Sequence, residues 1–223
     1  MYYAFGWAQM HNHADLILKL YAQGRGHAAE YYGEEYLNSD KLILLYNIPD
    51  KAKKVYHAQD PEYKAYLDAF VKGINDYAKS HTNAIDKIAL QVLPVTIDDV
   101  IAHTLRITCL EFLSAEDIYI AKKSAEAGSN AIAIAPSKSA SKNAMLLINP
   151  HLPWSDYFLW FEAHLCTDGF NAYGVSLVGI PTLTMAFNEN LGWAHTVNPI
   201  DASDRYELTL KDDGYLLDGK TMP

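Results

Sequence analysis

The spacing of hydrophobic residues changes once along this chain, and this change constrains the fold more than any other feature. Over residues 61–79, apolar and aromatic side chains recur at helical spacing and form one stripe. Helices are also predicted over residues 3–32 and 96–112. After Ser129, hydrophobic residues recur at every second position, which is typical of strands. Helices followed by strands predict an α+β fold.

Two of the predicted helices begin with capping signals. Asp60 is followed by Pro61, which is the preferred order for an N-cap and a first helical residue. Thr96 and Asp99 have the spacing of a capping box, with aspartate in place of the usual glutamate. These signals predict that helices start close to residues 61 and 96.

The second half contains several segments with strand character, separated by turn signals. Met145–Ile148 is apolar on both faces, which predicts a strand in a sheet that is covered on both sides. Asp212–Gly214 and Asp218–Gly219 are typical of hairpin turns. Strands are predicted at residues 130–135, 144–149, 157–166, 171–178, 182–187, 190–197 and 204–210.

The composition argues against several classes of partner. The 223 residues carry a formal net charge of −9, which disfavours nucleic acid or an anionic membrane. No apolar run approaches the roughly 20 residues needed to span a bilayer. Cys109 and Cys166 lie in apolar sequence and are predicted to be buried thiols. The histidines show no clustered ligand spacing, so a metal hydrolase is set aside.

The Gly128–Ser129 pair stands where the helical pattern ends and the strand pattern begins. A serine hydroxyl is a poor nucleophile unless a base lies beside it. An α-amino group titrates at roughly 7.7–8.0, so a serine at a chain start brings its own base. We therefore predict that the chain cuts itself before Ser129, with Gly128 tolerating the strained backbone that the cut requires. The alternative is an ordinary turn serine.

Other sequence blocks accompany this pair in a fixed order. Gly6–Gln9 and Arg25–Gly33 precede it, and Asn149–Trp154, Gly174–Pro181 and Phe187–Val197 follow it. The ordered set resembles the penicillin acylase family of N-terminal-nucleophile hydrolases, which includes acyl-homoserine-lactone and aculeacin acylases. The resemblance implies the four-layer αββα sandwich of those enzymes, here incomplete.

The resemblance also implies a division of the chain into three parts. Residues 1–113 correspond to a helical α-chain, and residues 129–223 to the first part of a β-chain. Residues 114–128 correspond to a spacer that ends at the cleavage site, although a plain solvated linker has the same composition. The two chains are expected to stay associated after the cut. Both ends read as the interior of a longer protein, which the resemblance places in the periplasm or outside the cell.

Three residues are implied to carry the chemistry. Ser129 is the nucleophile, and His151 positions it by hydrogen bonding, unless His151 is only a satisfied structural histidine. The backbone N–H of Val197 is implied to be one donor of the oxyanion hole, which acyl transfer needs. In the family the second donor is an asparagine farther along the chain, and Asn198 is not assigned to that role.

The acyl pocket and a metal site are implied in the same way. Leu152, Leu177 and Ile180 correspond to an acyl pocket with Trp154 on the same wall, although apolar strand residues are more often plain core. No cofactor is expected for the chemistry. A structural Ca²⁺ is implied because oxygen ligands on a turn suit this ion. A solvated acidic turn is the alternative. The implied calcium ligands are Glu116, Asp201, Ser203 and Asp204.

The sequence therefore predicts an amidohydrolase that removes an acyl group from a small-molecule amide through an acyl-enzyme on Ser129. A lactone or a peptide-linked acyl group is the alternative substrate within the same class. A truncated or unprocessed homologue that serves as a non-catalytic binding or structural module is the alternative from another class.

Overall fold

The computed structural model describes residues 1–113, 128–197 and 206–222, with only the backbone described at 111–113. The first of these segments is helical, and none of its helices is long and apolar enough to cross a membrane. Its α-helices are α1 (Tyr2–Arg25), α2 (Ala28–Tyr32), α3 (Leu37–Leu45), α4 (Ile48–Ala58), α5 (Pro61–Ser80) and α6 (Ile97–Arg106).

Helices α1 and α5 form the centre of the helical half. The stripe predicted on α5 is confirmed, since Leu67, Phe70 and Ile74 are almost fully buried. The predicted cap is also confirmed, because the Asp60 carboxylate accepts a hydrogen bond of 2.8 Å from the N–H of Glu62. The two helices approach closely at Gly73, where an added Cβ would lie 2.1 Å from the carbonyl oxygen of Tyr3.

The helix predicted over residues 3–32 is two helices. Gly26 adopts a left-handed conformation with φ 71° and ends α1 after Arg25. Helix α2 starts at Ala28, and its first N–H groups are capped from outside the helix. The Asp40 carboxylate accepts from the N–H of Ala28 at 3.0 Å and from that of Ala29 at 2.7 Å. The prediction of one continuous helix is therefore wrong at Gly26.

Helix α6 begins with the predicted capping box. The N–H of Thr96 donates to the Asp99 carboxylate at 2.6 Å, and the Thr96 side chain accepts a hydrogen bond from the N–H of Asp99 in return. The predicted helix was to continue to Phe112. The α-helical hydrogen bonding ends at Arg106, and the chain continues as π-helix over Ile107–Leu113.

All strand pairs described in the second half are antiparallel. The strands are β1 (Gly128–Ile134), β2 (Met145–His151), β3 (Trp160–Thr167), β4 (Phe170–Leu177), β5 (Met185–Phe187), β6 (Gly192–Trp193), β7 (Thr209–Lys211), β8 (Gly214–Leu217) and β9 (Lys220–Met222). One sheet is the ribbon β1–β2, the second has the order β3-β4-β5-β6, and the third has the order β7-β8-β9.

One face of the four-stranded sheet packs on the helices. Phe161, Ala163 and Leu165 on β3 belong to the same apolar core as α1 and α5. The ring of Phe161 lies 5.9 Å from that of Phe5 on α1. The α+β prediction is confirmed in this arrangement of helices on antiparallel sheet.

Two burial predictions are wrong. Met145 is 53% exposed and Leu147 50% exposed, so this strand is not covered on both faces: the side of the ribbon that carries these two residues is bare. Cys166 is exposed because it lies on the face of β3 that is turned away from the helices, and Cys109 is only partly buried. The hairpin turns of the third sheet are confirmed, with positive φ at Asp212 and Asp218.

Candidate active site

Ser129 is the second residue of β1, and its hydroxyl lies against the peptide bond that precedes it. Ser129 Oγ donates a hydrogen bond of 2.6 Å to the carbonyl oxygen of Gly128. The side chain is partly buried, and Ser129 pairs with Pro150 across the ribbon. The predicted nucleophile and the predicted scissile carbonyl are therefore in direct contact in the uncut chain.

His151 lies on the neighbouring strand beside the same peptide bond. It pairs with Gly128 in the β1–β2 register, one position from Ser129. Its Nδ1 lies 3.7 Å from the point that a Cβ on Gly128 would occupy. The structure thus brings Gly128, Ser129 and His151 together at the open end of the ribbon.

Gly128 is the first residue of β1. A Cβ at this position would make only ordinary contact with the His151 ring, 3.7 Å from Nδ1. The strain expected at the Gly128–Ser129 bond stays a prediction.

The Ser129 side of the ribbon is turned towards the four-stranded sheet. Alternation along β1 and β2 places Ser129, Ala133 and the Ala133 partner Leu146 on one side of the ribbon. Leu146 Cδ2 lies 2.7 Å from the point that a Cβ on Gly192 would occupy, so the Leu146 side chain reaches β6. The nucleophile candidate therefore faces the space between the ribbon and the sheet.

The four predicted pocket residues separate into two groups. Leu177 and Ile180 are buried in one cluster with Ile107, and Tyr157 and Trp160 pack against this cluster. Leu152 is partly buried, whereas Trp154 is 92% exposed and does not share that wall.

A cavity of about 290 Å³ lies on another side of Ile180. Ile180, Pro181 and Thr182 line it together with residues of α4, α5 and α6. Its remaining lining residues are Val55, Gln59, Tyr63, Leu67, Val100, Ile101, Thr104 and Leu105.

The oxyanion and metal predictions are only partly within the described residues. Val197 is described and partly buried, but it follows β6 in irregular backbone, so the strand predicted over 190–197 is confined to Gly192–Trp193. The described part of the chain contains no group of three or more His, Cys, Asp or Glu that could hold a metal ion. Asn198 and the four predicted calcium ligands lie outside the described residues: Glu116, Asp201, Ser203 and Asp204.

A buried polar cluster that was not predicted from the sequence lies between the helices and the turn that follows β4. Its members Gln9, Tyr21 and His103 are fully buried, and all three bond to the main chain of residues 178–180. Burial raises the pKa of Tyr21 well above its usual value. Burial, with a smaller effect of Arg106, lowers the pKa of His103 far below its usual value. The sequence did contain a signal for this cluster, because Gln9 lies among the apolar residues of the buried face of α1 and His103 among those of α6.

The chain as a whole can be compared with known proteins. The penicillin amidase family matches residues 1–223. The chain belongs to this family. The resemblance seen in the sequence blocks is thereby confirmed over the whole chain.

Curated relatives carry acylase names. An acyl-homoserine lactone acylase, PvdQ, from Pseudomonas savastanoi pv. phaseolicola is 26% identical over 264 residues, covering 99% of this chain and 34% of that protein. The acyl-homoserine lactone acylase QuiP of Pseudomonas aeruginosa is 36% identical over 101 residues, which cover 44% of this chain and 12% of that protein. Aculeacin-A acylase of Actinoplanes utahensis is 30% identical over 101 residues, covering 44% and 13%. The chain spans about a third of the length of the relatives that it matches throughout.

Proposed function

We propose that this chain is part of an amidohydrolase that removes an acyl group from a small-molecule amide. The nucleophile is Ser129, freed as a chain start by cleavage of the Gly128–Ser129 bond. Family membership and the acylase names of the relatives support the class of reaction. The observation that carries the nucleophile is the 2.6 Å contact between Ser129 Oγ and the Gly128 carbonyl oxygen.

The cut proceeds by attack of Ser129 Oγ on the carbonyl carbon of Gly128. The hydroxyl proton passes to the Ser129 nitrogen as the C–N bond breaks, and an ester joins Gly128 to Ser129 Oγ. Water hydrolyses this ester and leaves a carboxylate on Gly128 and a free amine on Ser129.

The freed serine then acts on the substrate amide. Its α-amine takes the hydroxyl proton, directly or through one water, as Oγ attacks the acyl carbonyl. The N–H of Val197 donates to the oxyanion, which is worth about 10²–10³ in rate for a donor of this kind. The protonated amine returns its proton to the leaving amine, and water releases the acid from Ser129. His151, which lies beside Gly128, orients Ser129 rather than acting as a base.

Intact mass measurement of the complete gene product tests the nucleophile. We expect the wild type to give two chains, the second starting at Ser129, and Ser129→Ala to stay whole. Ser139→Ala is the matched control, because Ser139 lies in the loop of the same ribbon and its hydroxyl bonds to Ser141 at 2.8 Å. Ser139→Ala should be cut like the wild type. An uncut wild type would contradict the proposal.

The bare face of the ribbon favours one alternative function. Ile132 and Met145 are each 53% exposed, and an exposed apolar face is a common feature of binding surfaces. A chain that is not cut would serve as a non-catalytic binding or structural module through such a surface. The same mass measurement decides between the two functions.

We further propose a structural Ca²⁺ held by carboxylates of Asp201, Asp204 and Glu116 and by the carbonyl of Ser203. This donor set has the hard oxygen ligands that Ca²⁺ prefers, and metal analysis of the dialysed full-length protein tests it. The full-length protein is proposed to be a four-layer αββα sandwich, located in the periplasm or secreted, whose two chains stay associated. Native mass spectrometry of the cut protein tests the association.

A further inference from the structure

The turn that follows β4 packs against the helical half and presents mainly peptide groups there. Val178 and Gly179 are buried there, and neither carries a polar side chain. Buried peptide groups need hydrogen-bond partners, since an unpaired one costs as much as a lost bond. Some of these partners are local. Ser176 Oγ, near the end of β4, donates to the carbonyl oxygen of Ile180 at 2.7 Å, and the N–H of Val178 donates to the carbonyl oxygen of Leu159 at 2.9 Å. The N–H of Ile180 bonds back to the end of β4 at 3.0 Å. The N–H of Gly179 and the three carbonyl oxygens of the turn have partners on the helices.

Gln9 on α1 bonds to the turn at two points. Its Oε1 accepts from the N–H of Gly179 at 2.8 Å, and its Nε2 donates to the carbonyl oxygen of Ile180 at 3.0 Å. A primary amide offers an acceptor and a donor together, which neither a carboxylate nor an apolar side chain of similar size can do. Gln9 therefore fixes the position of Gly179 and Ile180 along the turn.

Tyr21 and His103 complete the contact. Tyr21 Oη donates to the carbonyl oxygen of Gly179 at 2.8 Å, and His103 Nε2 lies 3.3 Å from that of Val178. Because a carbonyl oxygen only accepts, His103 Nε2 carries the proton. Gly179 has φ +84°, and a Cβ there would lie 3.3 Å from both rings. The Tyr21 ring on α1 and the His103 ring on α6 therefore both pack against the turn.

These bonds join the two parts of the chain that the proposed cut separates. Gln9, Tyr21 and His103 precede the cut, whereas the turn follows it. The turn lies between Leu177 and Ile180, which are buried together in one cluster. The family resemblance implies that this pair lines the acyl pocket, and we call it the acyl wall. A displacement of the turn main chain therefore moves the acyl wall, while Ser129 stays on the separate ribbon.

We propose that Gln9, Tyr21 and His103 are positioning residues that hold the 178–180 main chain and thereby set the length of acyl chain that the Leu177–Ile180 wall accepts. This inference rests on the proposed function. It assigns specificity to residues of the helical part that are remote from the nucleophile in sequence. Their loss changes the binding of long acyl chains and leaves the bond-breaking step at Ser129 as it is.

Tyr21→Phe in the complete gene product is the test, because it removes one hydroxyl and keeps the buried ring. Tyr32→Phe is the matched control: its hydroxyl is also buried in the helical half, and no partner for it is found among the described residues. For each protein, intact mass gives the extent of cutting. The values of kcat and KM are then measured on decanoyl- and acetyl-p-nitroanilide, together with the melting temperature.

We expect Tyr21→Phe to be cut and to hydrolyse the acetyl amide with unchanged kcat and KM. Its KM for the decanoyl amide should change by roughly threefold to tenfold, as for the loss of one buried hydrogen bond. Tyr32→Phe should keep the wild-type ratio of kcat/KM between the two amides. A cut and active Tyr21→Phe with the wild-type ratio overturns the inference alone. A wild type that stays whole and hydrolyses neither amide overturns the proposed function and this inference with it.

Discussion

At the scale of single residues, Arg25 and Asp99 form the most extensive ion pair among the described residues. Arg25 donates to the two carboxylate oxygens of Asp99 at 2.6 and 2.8 Å, and also to the carbonyls of Val92 and Pro94. The hydrogen bonds to Asp99 raise the pKa of Arg25. Asp99 is 3% exposed and also caps α6 through Thr96. The pair therefore joins the end of α1 to the start of α6.

Arg25→Met should lower the free energy of unfolding by about 3 kcal/mol, because it leaves the buried Asp99 carboxylate without its cation. Arg25→Lys keeps the charge but loses the two-pronged geometry, so its loss should be smaller. Urea unfolding of the three proteins measures both effects. If Arg25→Met unfolded at the same urea concentration as the wild type, the importance of this pair would be refuted.

At the scale of elements, local sequence determines some features and distant contacts determine others. Helix α5 was predictable because its stripe and its cap at Asp60 lie within a few residues. Gly24 and Gly26 look alike in sequence, yet only Gly26 ends the helix. Gly24 lies inside α1, where an added Cβ would be 3.0 Å from the backbone nitrogen of His103 on α6. Which glycine ends α1 depends on the packing of α6, which the spacing of residues does not reveal.

The candidate site shows the same limit. The pairing of Gly128 with His151 follows from one antiparallel ribbon, and two predicted strands joined by a short loop favour such a ribbon. The contact of Gln9 with Gly179 spans 170 positions, and no local pattern marks it. The sequence therefore indicated the nucleophile and its neighbour but not the residues that hold the turn.

The contact between α6 and the turn after β4 should make stability depend on pH. His103 is buried and uncharged, with Tyr21 and Arg106 as the titratable groups that face it. Its pKa is far below 6.5 in the folded state, whereas in the unfolded chain it is close to that value. Below about pH 6.5 the unfolded state binds the extra proton, so stability is full above this pH and is lost as the pH falls.

We expect the His103 contribution to fall by up to about 1.4 kcal/mol per pH unit between pH 6.5 and 5. Urea unfolding of the wild type and His103→Gln over this range measures it, because glutamine keeps a donor for Val178 and does not titrate. His164→Gln is the control, since His164 is exposed and bonds to Asn171 at 2.6 Å. Equal pH slopes for the wild type and His103→Gln would show that the proton uptake lies elsewhere.

At the scale of the whole molecule, one apolar face remains exposed to solvent. Cross-strand pairing places Ile132 opposite Leu147 and Ile134 opposite Met145 on the same side of the ribbon. Their exposed fractions are 53%, 50%, 37% and 53%. Such a continuous apolar face favours association over exposure to water. The net charge of −9 opposes this association only at long range, and salt screens it.

We therefore expect the 223-residue chain, produced by itself, to self-associate through this face, and more strongly as salt is added. The double variant Ile132→Lys and Leu147→Glu keeps an attractive cross-strand pair and the net charge while making the face polar. Light scattering after size-exclusion chromatography should then give the monomer mass. Leu45→Lys with Leu210→Glu is the control, since both leucines are 79% exposed on other elements and the charge change is identical. If the control also became monomeric, exposed apolar residues in general, rather than the ribbon face, would drive association. A monomeric wild type would mean that this face is tolerated in water.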